Sequence, residues 1–172
     1  YNIQIAVENY FIVQAYVSND RTDYNTLIPV LEKHRDAFGD ILEEVTADSG
    51  YCSEKNLLYL KAQNISSYIK LQDHEKRKTR AYQEDIGKYY NMKTQMFEDE
   101  LYYVCRDGRE LHHLRRETKK QAGYTQTFEV YGCSDCSGCE HKAKCLYKYN
   151  AEKDTEKNKV MKINEQWEAL KE

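Results

Sequence analysis

The sequence has one proline, Pro29, in 172 residues. That scarcity excludes a proline-rich linker, and no internal repeat or low-complexity segment appears elsewhere. No run is long and apolar enough to span a membrane. No signal peptide opens the chain. An excess of one charge is missing too. The formal net charge is only −3, so the overall balance argues neither for nor against a polyanionic partner. Its distribution is uneven. Residues 1–64 carry 5 basic and 10 acidic side chains, and residues 65–150 carry 16 basic and 13 acidic. Such asymmetry hints at separate partners for the two parts. The sequence starts at Tyr1 without Met and ends in a helix-like run at Glu172. It therefore reads as a piece of something longer.

What is present is enough for a core. Hydrophobic residues make up 40% of the chain, and the length fits one domain with a sizeable insertion, or two small domains. The 16 tyrosines suit half-buried surfaces with polar tips. Asn2–Glu8 alternates apolar and polar residues, the period of a half-buried strand. Asn9-Tyr10 turns the chain, and Phe11–Val17 is the partner strand. Asp23 is placed to cap a helix reaching about Phe38. Pro29 is tolerated in it if the true start lies near Thr26, and Gly39 stops it. A helix from Ser53 to Gln63 and a strand from Ile65 to Leu71 follow. With the strand at Val45–Ala47 the order is β-β-α-β-α-β, a mixed α/β sheet behind a leading hairpin.

The chain is organised around Glu43–Tyr51. Val45-Thr46-Ala47 suits a short buried strand, and Asp48-Ser49-Gly50 breaks it. An acidic residue at the C-terminal mouth of such a strand stands where α/β proteins place their chemistry. It is also a common turn former. Ser53 reads as the N-cap of the following helix, with Asn56 at its third position. Cys52 reads as a small apolar packer.

Beyond Leu71 the texture changes. Residues 73–83 are charged, with Lys76, Arg77, Lys78 and Arg80 at the centre, and a solvated surface is the plainer reading. Phe97–Cys105 reads as turn then strand, Arg106–Arg109 as a turn and Glu110–Leu114 as the return strand. Arg115, Arg116, Lys119 and Lys120 form a basic tip, and Thr125–Tyr131 is a further β-type run. A polar linker spans Ala151–Asn158. A helix from about Glu156 would carry Val160, Ile163, Trp167 and Leu170 on one face.

Cys133-x2-Cys136-x2-Cys139-x5-Cys145 is the strongest local signal. Two Cys separated by two residues can grip one tetrahedral zinc from a tight turn. Ser134, Asp135, Ser137 and Gly138 are the small turn formers this needs. Without a secretory signal the spacing favours a metal over disulfides. Cys105 could add a thiol from a distance, giving five candidates for four positions. On spacing alone Cys133 completes the set. An iron–sulfur cluster and a free-thiol cluster are the alternatives. Of the histidines, His112 and His113 read as surface residues, and His141 is close enough to the cluster to compete.

Taken in order, Tyr1–Val7, Asp23 with Leu27, Ala47-Asp48-Ser49-Gly50-Tyr51, and Tyr131-x4-Cys136-x2-Cys139-x5-Cys145 resemble the bacterial insertion-sequence transposases of the DDE type. The similarity is to the subgroup with a Cys-rich insertion between the second and third catalytic acids. It covers nearly the whole chain. The resemblance implies a ribonuclease-H-like fold in which two Asp and one Glu hold two Mg²⁺ ions for attack on DNA phosphodiesters. Asp48 matches the second acid. The first would lie on a strand before Tyr1 and the last on a helix after Glu172. Asp20 and Asp23 stand on the wrong side of the hairpin to replace the first, and Glu165, Glu168 and Glu172 come too early for the last. The isolated chain would then be inactive. Matching the family's spacing, Cys105, Cys136, Cys139 and Cys145 bind zinc and Cys133 is the spare. Where the family usually has Pro after the third motif Cys, this chain has Glu140-His141.

The division implied is a partial catalytic core at 1–72, a Cys-rich insertion at 73–150, and a linker with a returning helix at 151–172. DNA is the implied partner, reached through the backbone by Lys76, Arg77, Lys78, Arg80, Arg115, Arg116, Lys119 and Lys120. A homo-oligomer on DNA and a cytoplasmic, nucleoid-associated setting follow by the same resemblance. The rival function is a catalytically inactive, zinc-stabilised DNA- or protein-binding module descended from a transposase.

Overall fold

The computed structural model describes residues 1–39, 42–121 and 123–171; Glu172 lies outside them. Asn9 and Tyr10 both take positive φ, 48° and 71°, the two-residue hairpin geometry whose twist matches the flanking strands. They join β1 (Asn2–Glu8) to β2 (Phe11–Ser18), which pair antiparallel. The alternation expected in β1 is there, but its burial is reversed. Gln4 is buried, while Ile3, Ile5 and Val7 are exposed.

A 3-10 turn at Asp23–Asn25 leads into α1 (Leu27–Phe38), with Thr26 at its N-cap. Pro29 thus falls in the first turn, where its missing N–H costs nothing. Gly39, at φ 83°, ends the helix. Next comes β3 (Glu44–Ala47), then α2 (Glu54–Ala62) and β4 (Ser66–Ile69). The Ser53 hydroxyl accepts from Asn56 N at 3.3 Å, as an N-cap should. β3 is half-buried to exposed rather than buried. β3 and β4 pair in parallel.

The element order is the expected β-β-α-β-α-β. The single mixed sheet is not: β1-β2 and β3-β4 are separate two-stranded sheets. Leu27, Leu31 and Leu60 form the core of this part, with Val45, Tyr51, Ile65 and Ile69 packed around them. Among such side chains a Leu→Ala change typically costs about 2–5 kcal/mol.

Two compact units divide the chain. One holds Tyr1–His74 and the segment from Trp167 onward; the other holds Glu75–Gln166. The single helical turns α3 (His74–Arg77) and α4 (Arg80–Gln83) precede a five-stranded antiparallel sheet. Its order is β5 (Lys93–Phe97), β6 (Glu100–Val104), β7 (Glu110–Gln121), β8 (Tyr124–Cys133) and β9 (Val160–Ile163). Its core is Tyr103, Leu111, Tyr131, Cys133, Cys136, Met161 and Ile163.

Three sequence expectations are corrected here. Lys93–Phe97 is a strand where none was expected. Arg115–Lys120 is not a loop but the C-terminal half of β7, paired residue by residue with Thr125–Val130 of β8 up to the hairpin end. Val160–Ile163 is a strand, because Met161 and Ile163 alternate inward against β8; only Glu165–Ala169, α6, is helical. A further single turn, α5 (Lys142–Cys145), lies between β8 and β9.

Candidate functional site

Each unit carries one constellation. In the first, Asp48 follows the last residue of β3 and caps a 3-10 turn, Ser49–Tyr51. Its Oδ1 accepts from Gly50 N at 2.7 Å. This satisfies the ordinary turn role, and it also fixes the carboxylate at the strand's C-terminal mouth. Asp23, set aside in the sequence reading, is brought to the same place. Asn2 Nδ2 and Gln4 Nε2 donate to its Oδ1 at 2.8 and 2.9 Å. A Cβ built on Gly50 would stand 2.9 Å from both Asp23 Oδ2 and Asp48 Oδ1. The two oxygens therefore lie within twice that distance of each other, across a cradle that any side chain at position 50 would fill. Asp20 stays apart, its carboxylate receiving the Ser18 hydroxyl at 2.5 Å.

Tyr51 closes the group. Its hydroxyl donates to Gln4 Oε1. Burial pushes its pKa up, and the Asp23 and Asp48 charges add to the rise. Beneath the pair, Asn56 is fully buried. Its Nδ2 donates to the carbonyls of Tyr24 at 3.1 Å and Tyr51 at 2.8 Å. One amide thus ties the turn carrying Asp23 to the turn carrying Asp48. Beside them a cavity of about 500 Å³ runs between Gln4–Glu8 of β1 and Glu44–Ala47 of β3, floored by Leu27, Val30, Leu31 and His34 of α1. Cys52 is buried at 3% exposure, consistent with a packing role.

In the second unit, Cys105, Cys133, Cys136, Cys139 and Cys145 all line one cavity of about 20 Å³, with His141 at its wall. That volume is of the order of one water or one ion. Cys105 arrives from the end of β6 and Cys133 from the end of β8. Arg109 donates to the carbonyls of Asp135 and Ser137, both at 2.8 Å, and so staples the turn between the first cysteines. Asn158 grips the same turn, accepting from Cys136 N at 2.8 Å and donating to Ser134 O at 2.7 Å. Lys159 N points at Cys136 Sγ, 3.3 Å away.

The five thiols are not equivalent. Burial pushes Cys133 up to about 11, and its Sγ donates to Asp135 O at 3.1 Å. Burial also raises Cys145; Lys159 opposes that, and the facing thiols of Cys105, Cys136 and Cys139 add to it. Cys105 and Cys136 thus face both Cys133 and Cys145, and Cys139 faces Cys145. Among the described residues no three Cys, His, Asp or Glu side chains converge closely enough to hold a metal ion. The fit rests on the donor set: four soft thiolates on one cavity wall suit zinc.

The basic residues are less concentrated than the sequence suggested. Strand alternation puts Arg116 and Lys120 on one face of β7 and Arg115 and Lys119 on the other. Arg115 pairs with Glu117 at 2.6 Å and Arg116 with Glu129 at 2.5 Å. Lys78 pairs with Glu75 and Arg80 with Glu84. Lys76, Lys119 and Lys120 are exposed, and Arg77 is half-buried. His112 and His113 are exposed and lie beside Glu110 and Glu129. No helix among the described residues is long and apolar enough to cross a membrane.

Comparison with curated proteins and with solved structures returned no match. A family model, the transposase DDE domain, matches residues 1–169. The match spans nearly the whole chain, both constellations included, and family members carry out transposition-related nuclease chemistry on DNA, generally with divalent metal ions. The chain belongs to the DDE transposase domain family.

Proposed function

We propose that the chain is the central part of a transposase that cleaves DNA strands and joins them to a target, with Asp48 as one of its metal-binding carboxylates. The observation that carries this reading is Asp48 itself. It is a carboxylate at the C-terminal end of β3, facing a second carboxylate across the Gly50 cradle. Hard oxygen donors of this kind suit Mg²⁺. A bound divalent ion would activate a water or a 3′-hydroxyl for in-line attack on a phosphodiester. The protein's part is to hold Asp48 in place. The Gly50 N–H orients its carboxylate, and Asn56 anchors the turn from below.

The slot between β1 and β3 supports the ribonuclease-H-like reading. Each strand has an unpaired edge lining it. An extended strand seated there would pair with both, merge the two small sheets, and bring a further carboxylate beside Asp48. The third acid is assigned to a helix outside the described residues. With one of three catalytic carboxylates, the chain alone is expected to be inactive.

Cys105, Cys136, Cys139 and Cys145 are proposed to hold a structural zinc ion, with Cys133 the spare. The hydrogen bond of Cys133 to Asp135 O supports leaving it out of the set. Bound iron–sulfur would announce itself by visible absorbance. Lys76, Lys119 and Lys120, exposed, are the first candidates for DNA-backbone contact. Arg77, Lys78, Arg80, Arg115 and Arg116 would first have to leave intramolecular contacts. A homo-oligomer on DNA is proposed by family analogy alone.

The test is strand transfer by the polypeptide that carries this chain. Asp48→Ala should abolish it while leaving zinc content unchanged. Undiminished transfer would overturn the assignment, and the chain would then read better as a binding module with Asp48 as a turn residue.

A further inference from the structure

We infer that Asp23 is a positioning residue for the cation site at Asp48: its charge raises the affinity of Asp48 for a divalent cation. This rests on the reading of Asp48 as a metal carboxylate and goes beyond it. Asp23 does not match any of the three acids that the resemblance implies.

Three features support the inference. First, the Asp23 carboxylate is oriented. Two side-chain amides, Asn2 and Gln4, donate to Oδ1, so the opposite oxygen, Oδ2, is the one left facing Gly50 and Asp48 Oδ1. Secondly, the orientation is anchored on buried structure. Gln4 is only 5% exposed, and its remaining acceptor is taken by the Tyr51 hydroxyl. Asp23 is thereby linked through Gln4 to the turn that Asp48 caps. Thirdly, the space between the carboxylates is kept open by a residue with no side chain. Every other residue type would put a carbon there.

Two carboxylates this close repel each other, and a divalent cation held at Asp48 relieves the repulsion. At about 5 Å in water-like dielectric, a unit charge attracts a dication by about 1.7 kcal/mol. Removing the Asp23 charge should therefore weaken divalent binding roughly 15- to 20-fold. Among the described residues, the groups bonded to or facing the pair include Asn2 and Gln4 from β1, and Tyr51 and the Gly50 N–H from the turn after β3. None of them is cationic.

The experiment is a Mn²⁺ titration of the zinc-loaded chain, followed by the loss of the free-ion signal in electron paramagnetic resonance. Wild type, Asp23→Asn, Asp48→Asn and the double variant are compared. Asp23→Asn keeps an oxygen to accept from Asn2 and Gln4, so circular dichroism should not change. The expected result is roughly 15- to 20-fold weaker Mn²⁺ binding in Asp23→Asn, and no further weakening when Asp23→Asn is added to Asp48→Asn. Equal affinity in wild type and Asp23→Asn, with Asp48→Asn clearly weaker, would overturn the role of Asp23 alone. Equal affinity in all four proteins would overturn the metal reading of Asp48 and this inference with it. If Asp23→Asn unfolds the first unit, Asn2→Ala with Gln4→Ala is the second route. Freeing Oδ1 lets the carboxylate turn away from Asp48, so Mn²⁺ binding should weaken in this folded double variant too, and unchanged affinity would overturn the inference.

Discussion

Asn56→Ala is the sharpest probe of how the acidic turns are held. The side chain is fully buried, and its amide makes two hydrogen bonds, to the carbonyls of Tyr24 and Tyr51. Each is worth about 1 kcal/mol net, and a carbonyl stranded away from water costs about 1–3 kcal/mol. Both tyrosines are half-buried, so water can reach part of the vacated site and the lower end applies. The Asn56 Oδ1 has no hydrogen-bond partner among the described residues, and deleting it removes an existing penalty. The net loss comes to about 2 kcal/mol. With a urea slope of about 1 kcal/mol per M for a unit of this size, the midpoint should fall by about 2 M. Trp167 is the only tryptophan and belongs to the first unit, so its fluorescence reports this transition and not that of the Cys-rich unit. A midpoint shifted by less than about 0.3 M would refute the reasoning.

Other expectations concern the second unit and the site. Gly87→Ala would put a Cβ 2.6 Å from the backbone oxygen of Cys145; a thermal melt should show a loss of about 1–3 kcal/mol. Arg109→Ala removes both clamps on the Asp135–Ser137 turn and should speed zinc release to a chromogenic chelator several-fold, with content at saturation unchanged. Cys105→Ser should lower bound metal, whereas Cys133→Ser should not; the reverse result would exchange their roles. Burial works to raise the Glu129 carboxyl, but Arg116 and His113 outweigh it and hold its pKa below the usual carboxylate range. A folded pKa depressed in this way gives stability that is present above the ordinary carboxylate pKa and is lost as pH falls through the folded value. Glu129→Gln should therefore destabilise the second unit near neutral pH and become indistinguishable from wild type in strong acid.

Local chemistry was legible in the sequence, and tertiary proximity was not. The Asn9-Tyr10 turn, the Ser53 cap, Pro29 in a first turn and Asp48 at the mouth of β3 each depend on neighbours a few residues away. Val160, Ile163, Trp167 and Leu170 mimic a helical stripe, and a four-residue strand is too short to display its period of two against that background. Arg115–Lys120 looked like a tip because charge suggests solvent. In β7 it is exposed, yet paired to β8 along its backbone. Lys93–Phe97 is exposed throughout and carries no burial pattern to read. Asp23 was missed for a different reason. Its partner across Gly50 lies two elements further along the chain, and tertiary packing, with the Asn56 amide bridging the two turns, brings them together. The sequence grouped five cysteines, and all five line one cavity. That Cys105 reaches the cavity of the other four required the pairing of β6, β7 and β8.

The central claim is that Asp48 binds a catalytic metal ion directly. Replacing its hard oxygen with a soft sulfur tests this without depending on stability. In the polypeptide that carries this chain, Asp48→Cys should lose strand transfer in Mg²⁺ and regain a measurable part of it in Mn²⁺, because sulfur accepts softer metals more readily. Full activity in Mg²⁺ would contradict the account, and so would equal inactivity in both metals in a variant that keeps its zinc and its fold.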